Sequence, residues 1–126
     1  MEVGVGTDIV AVDRIASLVR DRGEHFLQRW FTTDELAYCQ SKAQPVLHLA
    51  ARLAAKEAVA KALRSPWAGP LPWHDIAVTV DADGAPGVRL GGEAEQIAAR
   101  LGIEVIRVSL SHCQEYATAT AVYVTP

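Results

Sequence analysis

The chain has 126 residues, 12 of them basic and 15 acidic, a formal charge of -3, and a half share of hydrophobic residues. That length suits one domain with its own core. The composition excludes a disordered chain, a disulfide framework resting on two cysteines, and the basic footprint of a general nucleic-acid binder. No apolar run approaches the ~20 residues that cross a bilayer, and the start of the chain carries Glu2 rather than a basic-then-apolar leader, so a soluble, cytoplasmic protein without membrane contact is expected.

Residues 2–10 alternate apolar and small side chains, which predicts a strand; Gly4 and Gly6 mark places where another backbone comes close. Residues 12–30 predict a two-faced helix, broken or bent at Gly23. One arc (Val12, Ile15, Val19, Phe26, Trp30) faces the core, and Arg14, Leu18, Arg22 and Arg29 form a separate stripe. Thr32 followed by Glu35 is a capping box that starts a short helix. Pro45 opens the strongest helical segment, rich in alanine and ending near Leu63. Residues 64–73 (R-S-P-W-A-G-P-L-P-W) read as a loop. Residues 75–80 and 88–90 predict a hairpin about the turn D-A-D-G-A-P-G. A helix over Gly92–Leu101, stopped by Gly102, and strands over 103–110 and 117–124 complete the chain. The fold class is α+β, a mixed or antiparallel sheet packed against the long alanine-rich helix.

Three places carry chemistry. Asp8 is an acid inside an apolar strand, which calls for a partner, a metal, or a role capping the helix that follows. On the long helix Glu57 and Lys61 are four apart, as are Arg52 and Lys56. Each pair therefore shares a face, either on a surface helix laced with ion pairs such as Glu57–Lys61 or as functional charges on a mostly buried helix. His112 ends a strand in S-L-S-H. Its neighbour Ser111 points to the opposite face and no G-x-S-x-G elbow is present, so a hydrolase triad is disfavoured. Two carboxylates without a His/Cys cluster suit Mg²⁺, with Arg52, Lys56 and Lys61 to meet phosphate charge. There is no P-loop or Rossmann glycine pattern, and Cys113 beside His112 lacks the further ligands of a zinc site.

G-V-G-T-D-I-V at 4–10, F-T-x-x-E at 31–35, R-x-A-A-K-E-A-x-x-K-A at 52–62 and S-L-S-H at 109–112 occur in one order. In this the chain resembles, over nearly its whole length, the acyl-carrier-protein synthases, the small single-repeat 4′-phosphopantetheinyl transferases. The resemblance implies Mg²⁺-dependent transfer of 4′-phosphopantetheine from coenzyme A to a serine of an apo acyl carrier protein of fatty acid or polyketide biosynthesis, in a homotrimer with active sites between subunits. It implies Asp8 and Glu57 as metal ligands, and Lys61 as the contact to the pyrophosphate. Arg52 and His112 become contacts to the nucleotide end with its 3′-phosphate, and Pro86 a neighbour of the nucleotide. The proton of the carrier serine goes to Glu57 or to a metal-bound water. The stripe Arg14, Leu18, Arg22 and Arg29 becomes the docking face for an acidic carrier. Where the family carries a glycine-rich segment, Arg64, Ser65 and Pro66 stand here. That departure supports the alternative of a non-catalytic coenzyme A or carrier-binding module on the same fold.

Overall fold

The computed structural model describes residues 1–64 and 73–126; the loop expected over 64–73, apart from its two ends, and the departure at Ser65 and Pro66 lie outside the described residues. The elements follow as β1 (Val3–Ala11), α1 (Val12–Arg22), α2 (Glu24–Trp30), α3 (Thr33–Gln40), α4 (Pro45–Leu63), β2 (Ile76–Val80), β3 (Pro86–Leu90), α5 (Gly92–Leu101), β4 (Ile106–His112) and β5 (Tyr116–Val124). A 3-10 turn, Trp73–Asp75, leads into β2. The sheet order is β1-β5-β4, antiparallel throughout, and β2 and β3 form a separate antiparallel hairpin.

α4 lies across the three-stranded sheet as the spine of the core. Pro45 sits in its first turn, where a missing N–H costs nothing. Its alanines Ala50, Ala51, Ala54, Ala55, Ala58 and Ala62 are all buried. The sheet meets it with equally small residues: Gly6 on β1, and Ala117, Ala119 and Ala121 on β5, while Gly4 makes room for the Tyr123 side chain. A Cβ built on Gly6 would stand 2.0 Å from the Ala58 carbonyl oxygen, so the close approach expected there is realised. The opposite face of the sheet is exposed along the β1–β5 ladder. On it Val3 is the cross-strand neighbour of Val124, and Val5 of Val122, and all four are exposed.

Gly23 breaks the long first helix in two. Its φ of 54° and ψ of -131° suit glycine, and its N–H closes α1 on the Val19 carbonyl. The indole of Trp30, at the end of α2, stacks on Trp73 at 4.0 Å and 16°. The capping box forms as expected: Glu35 N–H donates to Thr32 Oγ1 and Thr32 N–H donates to Glu35 Oε1. The strand predicted from residue 103 begins only at Ile106, because Gly102 caps α5 in the left-handed region and the Ile103 N–H is spent on the Ala98 carbonyl. It then runs on to His112, opposite Ala117.

α4 ends on Arg64, which holds φ 55°, the one described non-glycine residue at positive φ. The first residue of the departure from the family's glycine-rich segment therefore takes the left-handed conformation that glycine adopts without a Cβ penalty.

Candidate active site

Asp8 does not cap the first helix. The N-cap of α1 is Ala11, without a side-chain hydrogen bond, and Asp8 sits inside β1 opposite Ala119, on the face turned to α4. Lys61 Nζ donates to Asp8 Oδ1 at 3.0 Å and to the Thr7 carbonyl at 3.1 Å. The cation one turn beyond Glu57 is thus anchored to β1, not to the acid four residues before it. Asp8 Oδ2 is buried and, with both acids ionised, without a hydrogen-bond partner among the described residues. Burial, then a hydrogen bond shared with the Asp8 carboxyl and the charge of that carboxyl, push Glu57 from 4.5 up to about 7, against the pull of Arg14 and Lys61. Two acids crowded together, one with an orphaned buried oxygen, are an arrangement that a divalent cation would satisfy. Among the described residues no group of three or more His, Cys, Asp or Glu is gathered as for a closed metal site. That suits a hard ion that takes one or two carboxylates and leaves the rest of its shell to water and phosphate.

Lys56 does not meet phosphate. It is fully buried on the side of α4 that faces α3 and β2, where its ammonium donates to Glu35 Oε1 (2.8 Å), to the Trp73 carbonyl (2.9 Å) and to the Ile76 carbonyl (2.7 Å). Burial lowers its pKa and Glu35 opposes the shift. Glu35, read from the sequence only as a cap, also accepts the Val78 N–H at 2.7 Å. A lysine within a run of alanines was the signal for this pair, but spacing alone does not separate Lys56 from Arg52.

Arg52 and His112 join a second group. The Arg52 guanidinium lies 4.3 Å from the centroid of the Tyr38 ring and the Lys42 ammonium 4.6 Å from it. Tyr38 meets His48 edge-on, and His48 meets His112 at 5.2 Å between centroids. Partial burial, then Arg52, His112 and Lys42, lower the His48 pKa. Beside this group opens a cleft of about 350 Å³, with Tyr38 and Arg52 in one wall and Thr79 and Arg89 of the hairpin in the other. Pro86 starts β3 opposite Val80, and of the two Val80 lines that cleft. Sequence reasoning passed over Tyr38, Lys42, His48 and Arg89. Neither cysteine takes part: burial pushes the Cys39 thiol up to about 11, and Cys113 is free and exposed.

The stripe forms a third feature. Arg14, Leu18, Arg22 and Arg29 line one groove of about 260 Å³ across the α1–α2 break, together with His25, Phe26, Trp30 and Leu53. Leu53, Glu57 and Lys61 follow at intervals of four on α4, so the groove leads along one helix face to the two acids.

Against known proteins, residues 4–121 match the model of the 4′-phosphopantetheinyl transferase superfamily. The chain is 41% identical to the holo-[acyl-carrier-protein] synthase of Protochlamydia amoebophila over 98% of each chain. It resembles the crystal structure of the holo-[acyl-carrier-protein] synthase of Neisseria meningitidis, with a TM-score of 0.86 and 34% identity over 97% of this chain and 98% of that one. It also resembles the Helicobacter pylori enzyme in complex with coenzyme A, with a TM-score of 0.82 and 28% identity over 95% of this chain and 99% of that one.

Proposed function

The chain belongs to the 4′-phosphopantetheinyl transferase superfamily, and from that premise we propose that it moves 4′-phosphopantetheine from coenzyme A to the serine hydroxyl of an apo acyl carrier protein, releasing 3′,5′-ADP. The observation that carries the reading is the acid pair: Asp8 Oδ2 is buried beside Glu57 and, with both acids ionised, without a hydrogen-bond partner among the described residues, with Lys61 fixed on Oδ1, at the head of an arginine-rimmed groove.

Each group has a role. Lys61 offers its remaining donor capacity to the pyrophosphate. Asp8 and Glu57 would hold Mg²⁺, which when bound neutralises pyrophosphate charge and stabilises the leaving phosphate. Lys61 ties down Asp8, which leaves Glu57 to accept the proton of the carrier serine. Arg52 and His112 take the nucleotide end, with Pro86 beside it. Arg14, Leu18, Arg22 and Arg29 hold the acidic carrier so that its serine arrives in line. The nucleophile comes from the partner, so the chain needs none of its own. Two unlinked cysteines suit the reducing cytoplasm, and among the described residues no helix is long and apolar enough to cross a membrane.

We further propose a homotrimer with each site shared between two copies. Arg52 and Glu57 are five residues apart on α4, roughly 140° around its axis at 3.6 residues per turn. A single coenzyme A reaching both groups is easier to satisfy from two chains than from one. The exposed valine ladder on the sheet supplies a surface for the contact.

The test is the intact mass of apo carrier proteins after incubation with this chain, coenzyme A and Mg²⁺. A phosphopantetheine-sized gain, lost with chelator and in Asp8→Ala and Glu57→Ala, is the expected result. Coenzyme A binding without any mass gain on any carrier would favour a non-catalytic binding module instead.

A further inference from the structure

We propose that Glu35 and Lys56 are positioning residues for coenzyme A. Their buried pair stands in for a neighbouring strand on the open edge of β2 and so sets the gap between the β2–β3 hairpin and the helices that carry Tyr38 and Arg52. The inference rests on the transfer reading above.

Among the described residues β2 has a hydrogen-bonded strand neighbour on one side only, β3. Residues two apart in a strand turn their backbone groups to the same edge, and Ile76 and Val78 are such a pair. On the edge away from β3, the Ile76 carbonyl accepts from Lys56 and the Val78 N–H donates to Glu35. Two side chains thus make the bonds that a further strand would have made.

The network is complete. All three protons of the Lys56 ammonium are used, on Glu35, Trp73 and Ile76. Glu35 accepts from Thr32, Lys56 and Val78. A fully satisfied buried pair adds little net stability over an apolar pair of the same volume, but its donors and acceptors fit one register only. That register matters here because Glu35 also lines the cleft. One cleft wall stands on α3 and α4 and the other on the hairpin, and this pair spans from one to the other. A slip in it would carry Thr79 and Arg89, and Pro86 beyond them, away from Arg52, while leaving the α1–α2 groove in place.

The experiment uses the full chain with Lys56→Met, and with Glu35→Gln and Lys56→Gln together. The double variant keeps donors and acceptors for Ile76 and Val78 without either charge. Rates are measured with coenzyme A and carrier varied separately, and amide hydrogen exchange is followed over residues 76–80 and 86–90. In Lys56→Met the KM for coenzyme A should rise about tenfold, with kcat and the KM for carrier within about threefold of wild type. Exchange should quicken across the hairpin, at Val78 above all. The double variant should return the coenzyme A KM to within about threefold of wild type and restore protection.

A folded Lys56→Met with wild-type coenzyme A KM, or with unchanged protection at Val78, overturns the proposal. So does a double variant that regains protection while its coenzyme A KM stays high, since Lys56 would then act through its charge on the substrate. If Lys56→Met does not fold, Glu35→Leu with Lys56→Met, an apolar pair that lacks both edge bonds and leaves no buried charge unpaired, takes its place and is judged by the same two readings. Absence of transfer by the wild-type chain would instead sink the functional reading, while exchange at Val78 still judges the role of the pair at the edge.

Discussion

Gly6 of β1 and Ala58 of α4 meet backbone against backbone: a Cβ on Gly6 would lie 2.0 Å from the Ala58 carbonyl oxygen and 2.7 Å from the Ala62 nitrogen. Asp8 is two residues from Gly6, and Glu57 is next to Ala58. The spacing of the two acids is therefore set by main chain and not by side chains that could repack. Gly6→Ala should destabilise the protein by about 3 kcal/mol, the upper end of ordinary overpacking, because neither obstacle can rotate away. Gly4→Ala runs first into the far end of the Tyr123 side chain, which can move, and should cost less. Thermal unfolding of the two variants checks the order, and equal losses would deny the backbone contact its special weight.

The acid pair predicts a pH dependence. Glu57 in the folded chain titrates near 7, above its ordinary 4.5. The folded state thus holds a proton that the unfolded chain gives up, and without a divalent ion stability should fall as pH rises from about 4.5 to about 7. A bound cation removes the repulsion between the ionised acids. The gain in Tm from adding Mg²⁺ should accordingly be larger at about pH 8 than at about pH 5.5. The same gain at both, or none, would detach Glu57 from the cation.

Charge reversal in the groove separates carrier from coenzyme A. Arg14→Glu and Arg22→Glu should each raise the KM for carrier about tenfold and weaken its salt dependence. Arg14 also lowers the pKa of Glu57, so Arg22, which has no such influence, is the cleaner probe of docking. A carrier KM unchanged in both variants would return the stripe to a solvated helix face.

The open sheet face gives the fourth prediction. Val5→Glu places a charge beside Val122 on the exposed ladder. It should yield a folded monomer by light scattering, with transfer lost although no proposed site residue has been touched. An active monomer would place every site within a single chain.

Much of this was legible in the sequence, and the reasons are particular. Pro45 and the alanine run marked α4, Gly6 marked the close approach, and Asp8 stood out as an acid in an apolar strand. Gly23 announced the break between α1 and α2. Lys56 was misread, because its separation from Arg52 is the same four residues as that of Lys61 from Glu57. Only the tertiary arrangement shows that Lys56 faces the buried side toward α3. Glu35 satisfied a local rule so well that its second, long-range bond to Val78 had no separate sign. The late start of β4 follows from Gly102, whose cap claims Ile103 before the strand can.

The stacked indoles of Trp30 and Trp73 have a practical consequence. One ends the helix that rims the arginine groove, and the other precedes the strand edge held by Lys56. Rings this close and nearly parallel couple as a pair of chromophores, so, with the third indole removed as Trp67→Phe, their near-ultraviolet dichroism and fluorescence report on both neighbourhoods at once. The chain carries an intrinsic optical gauge, and an event that parts or turns these two rings can be timed in a stopped-flow instrument without a dye.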